Sequence, residues 1–165
     1  MCKIDSSLVF EVLDSGQGLE FTPTVLSQFM AHRQLKSNAC EGGGVLSATI
    51  EPHVVRIEKI SLPTARDNRT RLSYQMCPAR KTQFVEDSFN LGLHYVGEWH
   101  THPESDPSPS HLDLEAMSEA FRNSTHQLNY FVMVIVGNSV SGLDLSVTVH
   151  NQRDHFNLRP SKIRH

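Results

Sequence analysis

Glu98-Trp99-His100-Thr101-His102-Pro103-Glu104-Ser105-Asp106-Pro107-Ser108-Pro109-Ser110-His111-Leu112-Asp113 reads as a strand that enters a proline-stiffened turn and leaves it as a capped helix. Side chains two apart on a strand share a face about 6.6 to 7 Å apart, so His100 and His102 can bring ring nitrogens to one ion at ~2 Å each. Pro103, Pro107 and Pro109 stiffen the turn, which returns the chain so that Asp113, one turn into the helix, supplies a third ligand. The fourth position stays open to water. Three protein ligands plus water mark a catalytic zinc site rather than a structural one, and such a metal lowers the pKa of its water toward ~7.

The same residues have an ordinary use. Ser110-His111-Leu112-Asp113 is a capping-box-like helix start, with Asp113 at the positive end of the helix dipole. A His-x-His pair alone is equally unspecific, but the pair, the turn and Asp113 together form a much rarer pattern. Other metal families fit poorly. His-Glu-x-x-His is absent, Glu104 and Ser105 stand where a metallo-β-lactamase has Asp and His, and 165 residues are too few for an amidohydrolase barrel. The water also needs a base, for which Glu41, Glu98, Glu104 and Glu115 are candidates. Glu41 is the most suggestive, because Gly42, Gly43 and Gly44 let the backbone approach another element closely. Glu98, two residues before His100 on the same strand face, is its rival and is equally suited to orienting an imidazole.

Outward from this stretch, the chain alternates strands and helices. Val9 to Val12 and Leu19 to Phe21 read as short strands around Ser15-Gly16-Gln17-Gly18, and Thr22-Pro23 starts a helix that runs to about Leu35. Val45 to Ile50 and His53 to Ile60 flank a hairpin turn at Glu51-Pro52. Ser61 to Pro78, polar and rich in turn formers, reads as a long loop with one strand near Leu72 to Met76. Phe84, Val85 and Phe89 predict an amphipathic helix ending near Gly92, followed by a strand from Leu93 to His100. A third helix over Ser110 to about Asn123 precedes strands at Tyr130 to Val136 and Leu143 to Val149. The tail, 151–165, is polar and expected to be mobile. The pattern implies one α/β domain over residues 1–165, a mixed sheet flanked by helices.

Composition bounds the function. A chain of 165 residues with 38% hydrophobic and 20% charged residues suits one compact soluble domain, and no apolar run approaches the ~20 residues of a membrane span. No secretory signal is legible at the N-terminus, which leads us to expect a cytoplasmic protein. Cys2, Cys40 and Cys77 form no Cys-x-x-Cys pair and read as free thiols of a reducing compartment. A net charge of −3 argues against a general nucleic-acid binder. Between Arg56 and Lys81, seven basic residues face only Glu58 and Asp67, a run that is either a solvated face or a docking surface for an acidic partner.

These residues resemble the JAMM, or MPN+, metalloproteases, whose signature is an upstream glutamate followed by His-x-His-x₇-Ser-x-x-Asp. His100-Thr101-His102-Pro103, seven residues from Pro103 to Pro109, then Ser110 and Asp113 match that pattern, and Glu41-Gly42-Gly43-Gly44-Val45-Leu46 is similar to the family's glutamate-bearing strand. The resemblance covers roughly Thr22 to Val149 and implies the MPN (JAB) fold, a single mixed curved sheet flanked by helices. It further implies that His100, His102 and Asp113 bind one zinc ion, that Glu41 acts as general base and then acid, and that Ser110 stabilises the oxyanion. Members cleave peptide or isopeptide bonds after the C-terminus of ubiquitin, a ubiquitin-like protein or a small sulfur carrier. Among them the chain most resembles the short bacterial JAB peptidases of type II CBASS anti-phage operons, judged by size, Pro63 to Arg69 and the Gly97 to Pro103 context. This implies release of a cGAS-like nucleotidyltransferase from targets to which an E1-E2 fusion protein attached it. The alternatives are a peptidase for a ubiquitin-like or sulfur-carrier precursor and a non-catalytic MPN scaffold.

Overall fold

The computed structural model describes residues 3–161; Cys2 and the end of the tail lie outside them. Strands β1 (Leu8–Val12) and β2 (Gln17–Phe21) form a hairpin that leads into helix α1 (Pro23–Ala31). Strands β3 (Gly43–Ile50) and β4 (Val54–Ile60) follow, then a small separate hairpin of β5 (Asn68–Thr70) and β6 (Ser73–Gln75). Helix α2 (Pro78–Asn90), strand β7 (His94–Thr101), helix α3 (His111–Asn123) and strands β8 (Phe131–Val136), β9 (Leu145–His150) and β10 (His155–Asn157) complete the chain. The main sheet has the order β1-β2-β4-β3-β7-β8-β9-β10. It is mixed, since β2 and β4 run parallel, as do β7 and β8, and the other neighbours are antiparallel. Parallel neighbours need a crossover, which α3 supplies between β7 and β8.

The helices divide the apolar side chains into two clusters. Val25, Leu26 and Phe29 of α1 are buried against Phe21, Ile57 and Trp99. On the opposite face α3 buries Met117 against Phe131, Met133 and Ile135, and α2 packs over β3 and β7. Thr22 caps α1 by accepting the Val25 N–H, and Pro23 costs nothing at a first-turn position whose N–H has no helical partner.

Gly97 decides which face the β7 side chains take. Leu46 pairs with Gly97 but Ser47 pairs with Tyr95, a bulge that inserts one residue into β7. Tyr95 therefore shares a face with Glu98 and His100, while Val96 and Trp99 enter the α1 cluster. Only glycine fits, because φ is +155° there and a Cβ would meet the Val132 carbonyl oxygen at 1.8 Å.

Several expectations need correction. Helix α1 ends at Ala31 rather than Leu35, where His32 donates its N–H to the Phe29 carbonyl and Arg33 Nε donates to Met30. Helix α2 starts six residues before Phe84, and Phe89, read as part of its buried face, is 66% exposed while Ser88 is buried. The loop over 61–78 contains two strands, not one, arranged around the buried carboxylate of Asp67. That carboxylate accepts from the Thr64 and Cys77 N–H groups, the Tyr74 hydroxyl and Arg80.

The tail is not without regular structure in its described part. β10 pairs with β9, Leu158 is buried in the core, and the chain then bridges to β1 through Phe10 and Pro160, with Ser161 N–H donating to Val9 O. The sheet must curve for the continuation of its last strand to meet its first. One buried leucine and a few main-chain bonds are enough to order a segment that composition marks as polar.

Candidate metal centre

The chain brings three of the sequence-predicted residues together without long detours. His100 lies at the end of β7, paired with Gly43 on one side and Ile135 on the other, in the middle of the sheet. His102 follows at once, its N–H donating to the Val136 carbonyl at 3.0 Å. Asp113 sits in the first turn of α3, where the Ser110 hydroxyl accepts the Asp113 N–H at 3.1 Å and Asp113 Oδ2 accepts the Ser110 N–H at 2.9 Å. The capping box and the ligand set are one arrangement. The cap aims Asp113 Oδ2 to within 3.3 Å of His102 Nε2, and Oδ1 to within 3.3 Å of His100 Nε2.

The two imidazole Nε2 atoms are 3.1 Å apart. Four ligands held tetrahedrally at ~2 Å from zinc stand about 3.3 Å from one another, and the separation of the two imidazole nitrogens and the contact of each with its own Asp113 oxygen are of that size. The donor set fits as well, because two imidazole nitrogens and a carboxylate converge on one small region, and imidazole with carboxylate is a donor set suited to zinc. Burial opposes ionisation of Asp113, yet the bonds from His100, His102 and the Ser110 N–H hold its carboxyl far below the usual range. Burial also opposes a charge on His102, whose imidazole is nevertheless raised by Asp113, Glu41 and Glu104.

Of the four candidate bases, Glu41 alone is buried next to the trio. It precedes β3, and because Gly43 pairs with His100 and Gly42 bonds both ways to Thr101, the antiparallel register sets Glu41 opposite His102. Burial pushes its carboxyl above the usual carboxylate range, against the pull of His100 and His102. Glu98 faces the same side of the sheet as His100 but is ion-paired with Lys81. Glu115 bonds to His111 at 3.0 Å on the exposed side of α3, and Glu104 is exposed on the turn.

Residues not singled out in the sequence complete the surroundings. Thr101, fully buried, accepts the Gly42 N–H at 2.9 Å and donates to Gln34 Oε1 at 2.7 Å. Gln34 in turn donates to the Ala39 and Arg71 carbonyls. Nothing in an isolated glutamine marks it for this use. Most of the basic run is engaged by partners within the chain. Arg56 pairs with Glu20 and Glu51, Arg80 with Asp67, and Lys81 with Glu98, while Arg69 and Arg71 donate to the Glu41 and Ser37 carbonyls. Among the described residues no helix is long and apolar enough to cross a membrane.

The chain resembles known proteins over most of its length. A protein of Enterobacter hormaechei named CD-NTase/cGAS isopeptidase is 29% identical over 150 residues, 87% of this chain and 83% of that protein. One of the same name from Pseudomonas aeruginosa is 34% identical over 98 residues, 58% of this chain and 62% of the relative, so the match spans about three fifths of its length. The solution structure of protein DSY2949 from Desulfitobacterium hafniense superposes with a TM-score of 0.62 at 17% identity, over 83% of this chain and 87% of that one, which speaks for the fold alone. Residues 22–150 match the prokaryotic homologs of the JAB domain, and the chain belongs to that family, its curved mixed sheet with flanking helices being the MPN fold.

Proposed function

We propose that this chain is a zinc-dependent isopeptidase that cleaves after the C-terminal tail of a conjugated protein. The observation that carries the proposal is the convergence of His100, His102 and Asp113 within 3.3 Å contacts beside the buried carboxyl of Glu41. Zinc held by the three side chains would acidify a water and polarise the scissile carbonyl. Glu41 takes the proton from the attacking water, a transfer favoured by a carboxyl whose burial makes it more basic than usual. The Ser110 hydroxyl, whose oxygen already accepts the Asp113 N–H, keeps its own proton to donate to the developing oxyanion. Protonated Glu41 then returns the proton to the departing lysine amine, and the acyl half leaves as a free C-terminal carboxylate.

The names of the relatives support a cGAS-like nucleotidyltransferase as the conjugated protein. Its attachment by an E1-E2 fusion protein and a bacterial cytoplasmic setting are part of the same proposal and rest on the resemblance of the motif to the CBASS peptidases. We assign the activity to one JAB domain over residues 1–165. The test is a reporter fused to the C-terminus of a CBASS nucleotidyltransferase, incubated with wild type, Glu41→Gln and chelated protein, with bound metal measured in each. Cleavage lost on chelation and in Glu41→Gln is expected. Cleavage indifferent to both would overturn the proposal, and a reporter left intact by metal-loaded wild type would redirect the substrate to a sulfur-carrier or other ubiquitin-like precursor.

A further inference from the structure

His100, Asp113 and Ser110 are set by a strand or a helix cap, and His102 is bonded to β8, but Glu41 lies outside any regular element. Three glycines follow it, so the intrinsic stiffness of its backbone is low. Both main-chain groups of Glu41 are nevertheless taken, and by the same short strand. Its N–H donates to Thr70 O at 2.8 Å and its carbonyl accepts Arg69 Nε at 2.7 Å. The next peptide is held from the other side, Gly42 N–H on Thr101 Oγ1 and Gly42 O on Thr101 N–H, both at 2.9 Å. The bond from Arg69 is the only one of these made by a charged donor, and bonds of that kind are roughly twice as strong as neutral ones.

We propose that Arg69 is a positioning residue that holds Glu41 in line with the metal ligands, acting on its backbone from β5 while Thr101 and Gln34 hold the following peptide. This rests on the reading of Glu41 as the base. Arg69 donates to the Glu41 carbonyl and is hydrogen-bonded to none of His100, His102 and Asp113, so its removal leaves the metal face intact and lets the base wander. A displacement near 1 Å at a reacting group costs on the order of 10²-fold in rate.

The test compares Arg69→Met and Arg69→Lys with wild type for kcat, KM, bound metal and thermal melting on the nucleotidyltransferase reporter. Arg69→Met is expected to lower kcat about 10- to 100-fold, with KM and metal content unchanged. Arg69→Lys, which keeps a charged donor, recovers part of the loss. Arg69→Met at wild-type kcat would overturn the inference, as would a loss in which metal content falls with kcat. If Arg69→Met does not melt cooperatively, Arg69→Gln, which keeps a neutral donor of similar length but not the charge, carries the test with the same expected outcomes. Cleavage that survives Glu41→Gln in otherwise wild-type protein would instead sink the reading of Glu41 itself, which keeps the two failures apart.

Discussion

The two arms of the candidate centre are built differently. One arm, from His100 to Asp113, is continuous in sequence and made of a strand end, a turn and a helix cap, each supplying its ligand through local backbone geometry. The other is Glu41, some sixty residues earlier, placed by the register of β3 on β7 and by bonds from Arg69, Thr70 and Thr101. In the proposed function the first arm carries the groups that hold a cation, and the second the group that moves a proton. A ligand set tolerates a modest shift because the ion adjusts with it, whereas a base must meet a proton at hydrogen-bond distance. The tertiary bracing is concentrated on the second arm.

Breaking the local arm should have the largest effect. Asp113→Ala removes a ligand and half of the capping box, so bound metal and cleavage are both expected to fall to background, measured by metal analysis and the reporter assay. Glu41→Gln breaks the remote arm and is expected to lower kcat by ~10² to 10⁴ with metal content unchanged. Metal lost from Glu41→Gln would mean that the two arms are not separable. Ser110→Ala tests the cap of the local arm. It should cost ~10² in kcat through the oxyanion and about 1 kcal/mol through the lost cap, read by denaturant melts.

A residue outside both arms sharpens the comparison by moving stability alone. His150 on β9 is buried, its Nε2 is 2.7 Å from Thr148 Oγ1, and burial with His155 stacked beside it lowers the imidazole to about 4. Above the ordinary value of 6.5 the ring is neutral in both folded and unfolded chains, so this site leaves stability unaffected there. As pH falls from 6.5 toward 4 the unfolded chain takes a proton that the folded one refuses, and roughly 3 kcal/mol is lost. His150→Gln should flatten this acid dependence in urea melts at pH 7 and 4.5 while leaving neutral-pH cleavage close to wild type.

Much of the first arm was legible because its parts are short-range. Strand alternation, proline stiffness and the Ser-x-x-Asp cap are properties of adjacent residues, and they were right about the mutual placement of His100, His102 and Asp113. The strand order, the bulge at Gly97 and the closure of the sheet by 155–161 were not legible. An inserted residue in β7 shows its effect only against β3, and a single leucine in a polar tail carries no period. The partners of the basic run were not legible for the same reason: charge counted along the chain says nothing of which carboxylates and carbonyls will face each arginine.

Four glutamates were open as bases on sequence grounds, and local chemistry could not rank them beyond the glycines after Glu41. Which residues sit alternately on a strand, where a helix begins and which side chains can ligate a cation follow from backbone geometry over a few residues, so the ordered letters sufficed. That Glu41 is buried opposite His102, while Glu98 is spent on Lys81 and Glu115 points to solvent, depends on how β3, β7, α2 and α3 pack. Such packing is set by apolar burial and strand register summed over the whole sheet, and only the folded chain carries out that sum.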